Sequence, residues 1–466
     1  MHPRRDVQTT PHYIPSAHLR RRPLRRSRFP APAPTPPRHR VQPTPSLLLE
    51  DVFFAPLFQA LQAPGITRGC AAVDDASFVS LAILRVLENS KTGRDFIQTH
   101  GIPTTPGLTR SNYFDSLASP RRLKMFISLE RELQRQQLPT LRAQDDRLAH
   151  FSELDEMEIW AADGHHIAHA THDARNEKDA YCSVNAIYKL DLRSGWMRFM
   201  DLARPTAHGT EHEITTLKRQ DKQDLRCGAT KGRSTLLVYD AAIIDFQFTY
   251  NLKQSKSIYI LTAWKDNLAP MTVMPRPIDR ANPANALVIS DETLYFNNTP
   301  GVWRRITASC PDSDEIYITL TNQMTLSPGA LNQCRRLRWN IEKAFDQQEQ
   351  KLDERKAWSA SEQGKRIQAI AMSIVHNLLR LFEAKLKREE GIEDTKVIKA
   401  WQKDLAKRVE KARAADRHLP IKLYQALYRP TEVSLQFIRW LRVGLTRPTC
   451  YRRAIEQLRP LMLAYL

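Results

Sequence analysis

Three acidic residues stand where their surroundings could bring them together. Asp163 follows the strand pattern Glu158–Ala162 (EIWAA), and Asp240 follows the apolar run Ser234–Tyr239 (STLLVY). Glu342 lies in a Gly- and Pro-free stretch, Leu331–Leu352, that opens after Ser327-Pro328-Gly329 and has helical spacing. At about 100° per residue, Cys334, Leu337, Ile341, Ala344, Phe345 and Leu352 form its apolar face. Arg335, Arg338, Glu342, Asp346 and Glu349 share an adjoining arc of about 80°. Each acid alone also fits an ordinary role, a turn or cap for the aspartates and a surface ion pair for Glu342. Together, carboxylates that converge repel one another unless cations lie between them. Oxygen ligands of this kind suit Mg²⁺ or Mn²⁺. Two such ions, about 3.5–4 Å apart, activate an attacking oxygen and stabilise the leaving one at a phosphodiester.

The elements that must position these residues form an α/β series. Two further strand patterns, Ser183–Leu192 and Trp196–Leu202, are joined by the turn Arg193-Ser194-Gly195. A helix is expected around His212–Arg219, then the Ser234–Tyr239 strand, apolar nearly throughout and so central in its sheet. A helix over Ala241–Leu252 and a strand over Ser257–Ala263 follow. Residues 265–325 contain strand-like pieces (MTVM, ALVIS, TLYFN, VWRRITA, EIYITL) and form a β-rich insertion ahead of the Glu342 helix. The apolar helix Ile367–Leu381 should back the sheet.

Around this centre the composition changes. Residues 1–45 hold ten Arg, no Lys, one acid and eleven Pro, which predicts a disordered arm. The arm suits either non-specific DNA contact or an upstream extension without function. Residues 46–150 read as a helical domain, with a long amphipathic helix running from Arg110 to about Gln137. Arg121 and Arg122 lie near its centre beside Tyr113 and Phe114, as in a DNA-end-binding module, although a plain packing domain fits equally. Residues 386–466 read as a helical, basic C-terminal region.

The chain of 466 residues has a net charge of +19, of which +9 lies in residues 1–45, leaving 19 − 9 = +10 for the rest. That balance favours a polyanionic partner. Six scattered cysteines without a C-x2-C pair point to reduced thiols and a cytoplasmic location rather than a disulfide frame. No apolar run is long enough for a membrane span, and no Gly-rich phosphate loop appears. His165, His166, His169 and His172 (HHIAHATH) suggest zinc, but nothing completes a tetrahedral set. A histidine near the catalytic metal is the better reading. Trp264 and Trp303 offer stacking surfaces for an extruded base, with core packing the simpler role.

With Trp160-Ala161-Ala162-Asp163-Gly164, Leu237-Val238-Tyr239-Asp240 and Arg338-Trp339-Asn340-Ile341-Glu342, the chain resembles the DDE transposases of bacterial insertion sequences. The resemblance covers about residues 105–385, and its third element matches the Arg-x3-Glu part of the signature Tyr-x2-Arg-x3-Glu-x6-Lys. It implies an RNase H-like domain over residues 151–385, with a mixed five-stranded sheet flanked by helices and the insertion at about 265–325. It also implies metal-dependent cleavage of double-stranded DNA at terminal inverted repeats, followed by attack of the freed 3′-hydroxyl on target DNA by a homodimer on paired ends. Asp163 would touch both ions, and Asp240 and Glu342 one each. Arg338 would grip a phosphate, with Arg335, Lys351, Arg121 and Arg122 as further DNA contacts. The signature's Tyr and Lys positions are Arg335 and Glu349 here, with Lys351 two residues on. A catalytically silent DNA-binding remnant is the alternative, and a nuclease with the same core but no strand transfer is a lesser third reading.

Overall fold

The computed structural model describes residues 47–390 apart from short stretches (69–72, 89–91, 102–104, 106, 171–172, 174–183, 207–208, 230–231, 241–243, 310–314 and 352–355), isolated positions from 403 to 447, and residues 449–465. The arm and most of residues 386–466 therefore lie outside the described residues.

Turn and capping chemistry sets most element boundaries. Helices α1 (Leu49–Leu61) and α2 (Asp75–Leu87) come first, and the Asp74 side chain caps α2 by accepting the Ser77 N–H at 2.8 Å. The single long helix expected from Arg110 is two, α3 (Arg110–Leu117) and α4 (Pro120–Gln144). Ser119 caps the second, and Pro120 is tolerated only as a first helical residue because it has no N–H to give. Strands β1 (Met157–Ile167), β2 (Val184–Asp191) and β3 (Met197–Ala203) form an antiparallel meander. Its β2–β3 turn is the expected one, with Gly195 at φ +75°, a conformation that favours glycine.

Next come α5 (Glu213–Lys218), β4 (Ser234–Val238), α6 (Phe246–Lys256) and β5 (Ile258–Ala263). Helix α6 starts later than the sequence pattern implied, because Asp245 caps it through the Phe248 N–H at 2.8 Å. The insertion supplies β6 (Thr272–Pro275), β7 (Val288–Tyr295), β8 (Trp303–Ser309) and β9 (Ile316–Thr321). Helices α7 (Pro328–Leu337), α8 (Trp339–Lys351), α9 (Glu362–Glu390) and α10 (Tyr451–Tyr465) complete the chain.

The sheet has nine strands in the order β3-β2-β1-β4-β5-β9-β8-β7-β6. The expected five-stranded mixed sheet is its first half, with β4 central, parallel to β1 and β5, and buried from Thr235 to Val238. The insertion continues this sheet. β9 pairs antiparallel with the outer edge of β5 (Thr319↔Ala263, Thr321↔Leu261), satisfying backbone groups that an edge strand would leave open.

Helix α9 backs the sheet, buried along most of Ile367–Arg380. Asn377 clamps β3 by accepting the Met197 N–H at 2.8 Å and donating to the Met197 carbonyl at 2.7 Å. Buried Glu130 of α4 accepts the Phe199 N–H of β3 and the Ser373 hydroxyl of α9. Residues 46–150 thus share one continuous core with the sheet, from Leu49 to Leu458. Among the described residues no helix is long and apolar enough to cross a membrane.

Candidate active site

The parallel pairing of β1 with β4 ends at Ala161↔Val238. Two residues on, the register sets Asp163 level with Asp240, just past the carboxyl end of the parallel pairing. Open α/β sheets bind ligands at such ends. Asp163 is not at a strand end, as the sequence had implied, because β1 runs on to Ile167 in its antiparallel pairing with β2 (Asp163↔Tyr188, Ile167↔Val184). The second strand holds the Asp163 backbone rigid. The Asp240 carbonyl accepts the Thr262 hydroxyl of β5 at 2.7 Å, and its carboxylate stands exposed.

Glu342 comes from α8. The expected single helix over Leu331–Leu352 breaks at Arg338, where the Ile341 N–H reaches back three residues to the Arg338 carbonyl at 2.9 Å. Ser327 caps α7 and is itself fixed by Glu153, which accepts its N–H at 2.7 Å. Helix α8 is seated on the sheet through Phe345, whose ring stacks on His165 of β1 at 4.9 Å and lies 5.7 Å from Tyr188 of β2.

Arg338 is the hub. Its side chain is only 5% exposed, and it donates to Asp163 Oδ2 at 3.1 Å and to Glu342 Oε1 at 2.5 Å. The first and third acids therefore share one guanidinium. Burial pushes the Asp163 carboxyl up, an effect offset by Arg338 and reinforced by Glu342 and Asp240. Arg335 stands half-buried one turn before Arg338. Its pKa is lowered first by burial and then by Arg338, while Asp240, Tyr317 and Glu342 act the other way.

A fourth acid, Glu213 at the start of α5, joins this group, and the sequence analysis missed it. It follows Asp163 by 50 residues (213 − 163) in a segment without a motif, and only the packing of α5 on β3 brings it in. Burial and the Asp163 and Asp240 carboxylates push its pKa from 4.5 to about 7. Because the folded value lies above the unfolded one, this group's contribution to stability is present below pH 4.5 and is lost as pH rises through about 7. Metal-free protein should therefore lose about 2 kcal/mol between pH 5 and 8 from this residue. Glu213→Gln should remove that part of the loss in thermal unfolding with a chelator present; an unchanged pH dependence would contradict it.

The other expected site residues are placed differently. Arg121 makes a two-pronged ion pair with Asp75 of α2 at 2.8 and 2.7 Å. Arg122 is buried, donating to the Val73 carbonyl at 2.7 Å with its guanidinium 4.1 Å from the centre of the Phe78 ring. Both side chains are engaged inside the helical region, and neither lies with the carboxylates. Lys351 ends α8, and its side chain, like that of Glu349, lies outside the described residues. In the histidine run, strand alternation turns His165 inward and His166 outward, so the two do not converge; His172 lies outside the described residues. Trp303 packs edge-on to Phe246 at 4.8 Å, and Trp264 lies under Arg305.

Among the described residues, no three acids, histidines or cysteines close around one point to hold an ion as they stand. The Arg338 guanidinium is interposed between Asp163 and Glu342. The donor set is nonetheless all carboxylate oxygen, four groups against the two guanidiniums of Arg335 and Arg338, and it fits a hard divalent cation.

No curated protein matches the chain. Residues 155–378 match the family model described as "Transposase DDE domain", a span that starts just before β1 and ends within α9, so it takes in all four acids. The mixed sheet with flanking helices is the RNase H-like architecture expected of it. Over residues 155–378 the chain therefore carries a transposase DDE domain, which supports a DDE transposase.

Proposed function

We propose that this transposase cleaves DNA at the ends of its own element and joins the freed 3′-hydroxyl to target DNA. Asp163, Asp240 and Glu342 act as the ligands of two Mg²⁺ or Mn²⁺ ions. The observation that carries this reading is the level placement of Asp163 and Asp240 on adjacent parallel strands, with Glu342 tied to Asp163 through Arg338. The chemistry such ions supply when bound is activation of an attacking oxygen and stabilisation of the leaving one.

The chain's own groups prepare that chemistry. Arg338 orients two of the acids and is itself held rigid by burial. Its Nε–H is buried without a hydrogen-bond partner, which leaves one donor for a phosphate oxygen once DNA is seated. Half-buried Arg335, one turn before Arg338, adds positive charge for a DNA backbone, and Lys351 is a further DNA contact in this reading. A homodimer would present two such sites to paired ends.

The test uses the full chain, Mg²⁺, DNA from either side of its reading frame and a supercoiled target plasmid. The expected products are ends with free 3′-hydroxyls and plasmid joined to them. End binding without any cut would support the silent-remnant reading instead, and cutting without joining would support a nuclease.

A further inference from the structure

Glu213 sits against the backbone of Gly164, the residue after the first catalytic acid. A Cβ at position 164 would run into Glu213 Oε1 and come within 3.3 Å of its carboxyl carbon, so the Glu213 carboxylate holds this position only while residue 164 lacks a side chain and would swing away from one. The Gly164 N–H is also donated to Asp163 Oδ1 at 2.9 Å. Two carboxylates from separate elements thus gather on one peptide group.

Charge makes this arrangement costly unless something offsets it. Arg338 is divided between Asp163 and Glu342. Among the described residues, no lysine or arginine forms an ion pair with Glu213 or with Asp240. Ordinary structural carboxylates in this protein are partnered: Asp291 with Arg304, Asp75 with Arg121, Glu211 with Arg219. Half-buried Glu213 is held instead beside two acids of the site. Hard divalent cations take six or more oxygen ligands, so three carboxylates leave room for another donor.

We propose that Glu213 is a fourth oxygen donor of the cation site, on the Asp163–Asp240 side, and that Gly164 is there to admit it. The inference rests on the metal-dependent reading given above.

The test titrates the full-length protein with Mn²⁺ alone, without DNA, and reads free Mn²⁺ by its paramagnetic resonance signal. Wild type should bind, and Asp240→Asn should bind far more weakly. Glu213→Gln, close in shape, should weaken Mn²⁺ binding about tenfold or more, the scale typical when a group supporting a metal site is lost. Glu213→Asp should fall between the two. Gly164→Ala should match the Gln variant, because its methyl would push the carboxylate aside. Circular dichroism and thermal unfolding establish that each variant folds, and the Asp variant keeps the test alive if the Gln variant does not. Wild-type affinity in the folded Glu213 variants, with Asp240→Asn impaired, would overturn the inference and leave the three-acid reading standing. Absence of Mn²⁺ binding by wild type, or indifference to Asp240→Asn, would overturn the three-acid reading and this inference with it.

Discussion

Asp291→Ala is expected to destabilise the protein by about 3–5 kcal/mol, the cost of breaking a buried ion pair on one side only. Arg304 and Asp291 are each 2% exposed and meet through two hydrogen bonds of 2.7 Å. The same guanidinium donates to the Gln323 carbonyl at 3.3 Å and the Leu326 carbonyl at 2.7 Å. Without Asp291 a positive charge stays buried with only carbonyl oxygens around it. The pair also has a functional consequence. Residues 323–326 lead directly to Ser327, the cap of α7, so Arg304 ties the insertion strands to the helices that carry Arg338 and Glu342. Asp291→Ala should therefore reduce DNA cleavage under conditions where most of the protein is still folded. Replacing both partners with apolar residues of similar size should be milder, since no lone charge remains at position 304 and only the part-exposed Arg276, 3.5 Å from Asp291, loses its carboxylate. Denaturant unfolding of the single and double variants separates the cases. A loss below about 1 kcal/mol in the single variant would show that water reaches the pair.

Asp240→Asn is expected to lower DNA cleavage at least a thousandfold, about 4 kcal/mol on the barrier, while the fold persists. Its side chain is exposed, and among the described residues no cation pairs with it. Removing its charge relieves repulsion on Asp163 and Glu213. The metal-free variant should therefore unfold at the wild-type temperature or above it. Arg338→Ala provides the contrast. It strips the shared cation from Asp163 and Glu342, so both stability and cleavage should fall. End binding by Asp240→Asn should stay within a few fold of wild type, which distinguishes lost chemistry from lost recognition.

The elements that carry the three proposed acids were legible because their signal is local. A short apolar strand pattern that ends on Asp, and an Arg-x3-Glu spacing on a helix, can be read without knowing what packs beside them. The central place of Ser234–Val238 and the backing helix at Ile367–Leu381 were legible for the same reason, since burial on most faces shows in composition. What escaped depends on partners distant in the chain. Arg121 and Arg122 look like a basic patch in sequence, yet Asp75 and Phe78 of another helix take up their guanidiniums. Strand β1 outruns its pattern because β2 pairs with it as far as Ile167. Glu213 carries no local mark at all, and its role follows from a helix packed on β3 and a glycine 49 residues earlier (213 − 164). The break at Arg338 is also silent in a stretch free of Gly and Pro.

The most direct test of the central claim, that these carboxylates hold the cations of a strand-cleaving centre, is a change of ligand matched by a change of metal. Cleavage of element-end DNA by Asp240→Cys would be measured in Mg²⁺ and in Mn²⁺. A thiolate is a poor partner for hard Mg²⁺ and a better one for Mn²⁺. The account predicts cleavage near background in Mg²⁺ and recovery of a substantial part of wild-type cleavage in Mn²⁺, with no such recovery for Asp240→Ala. Cleavage by the cysteine variant at wild-type rate in Mg²⁺ would contradict it.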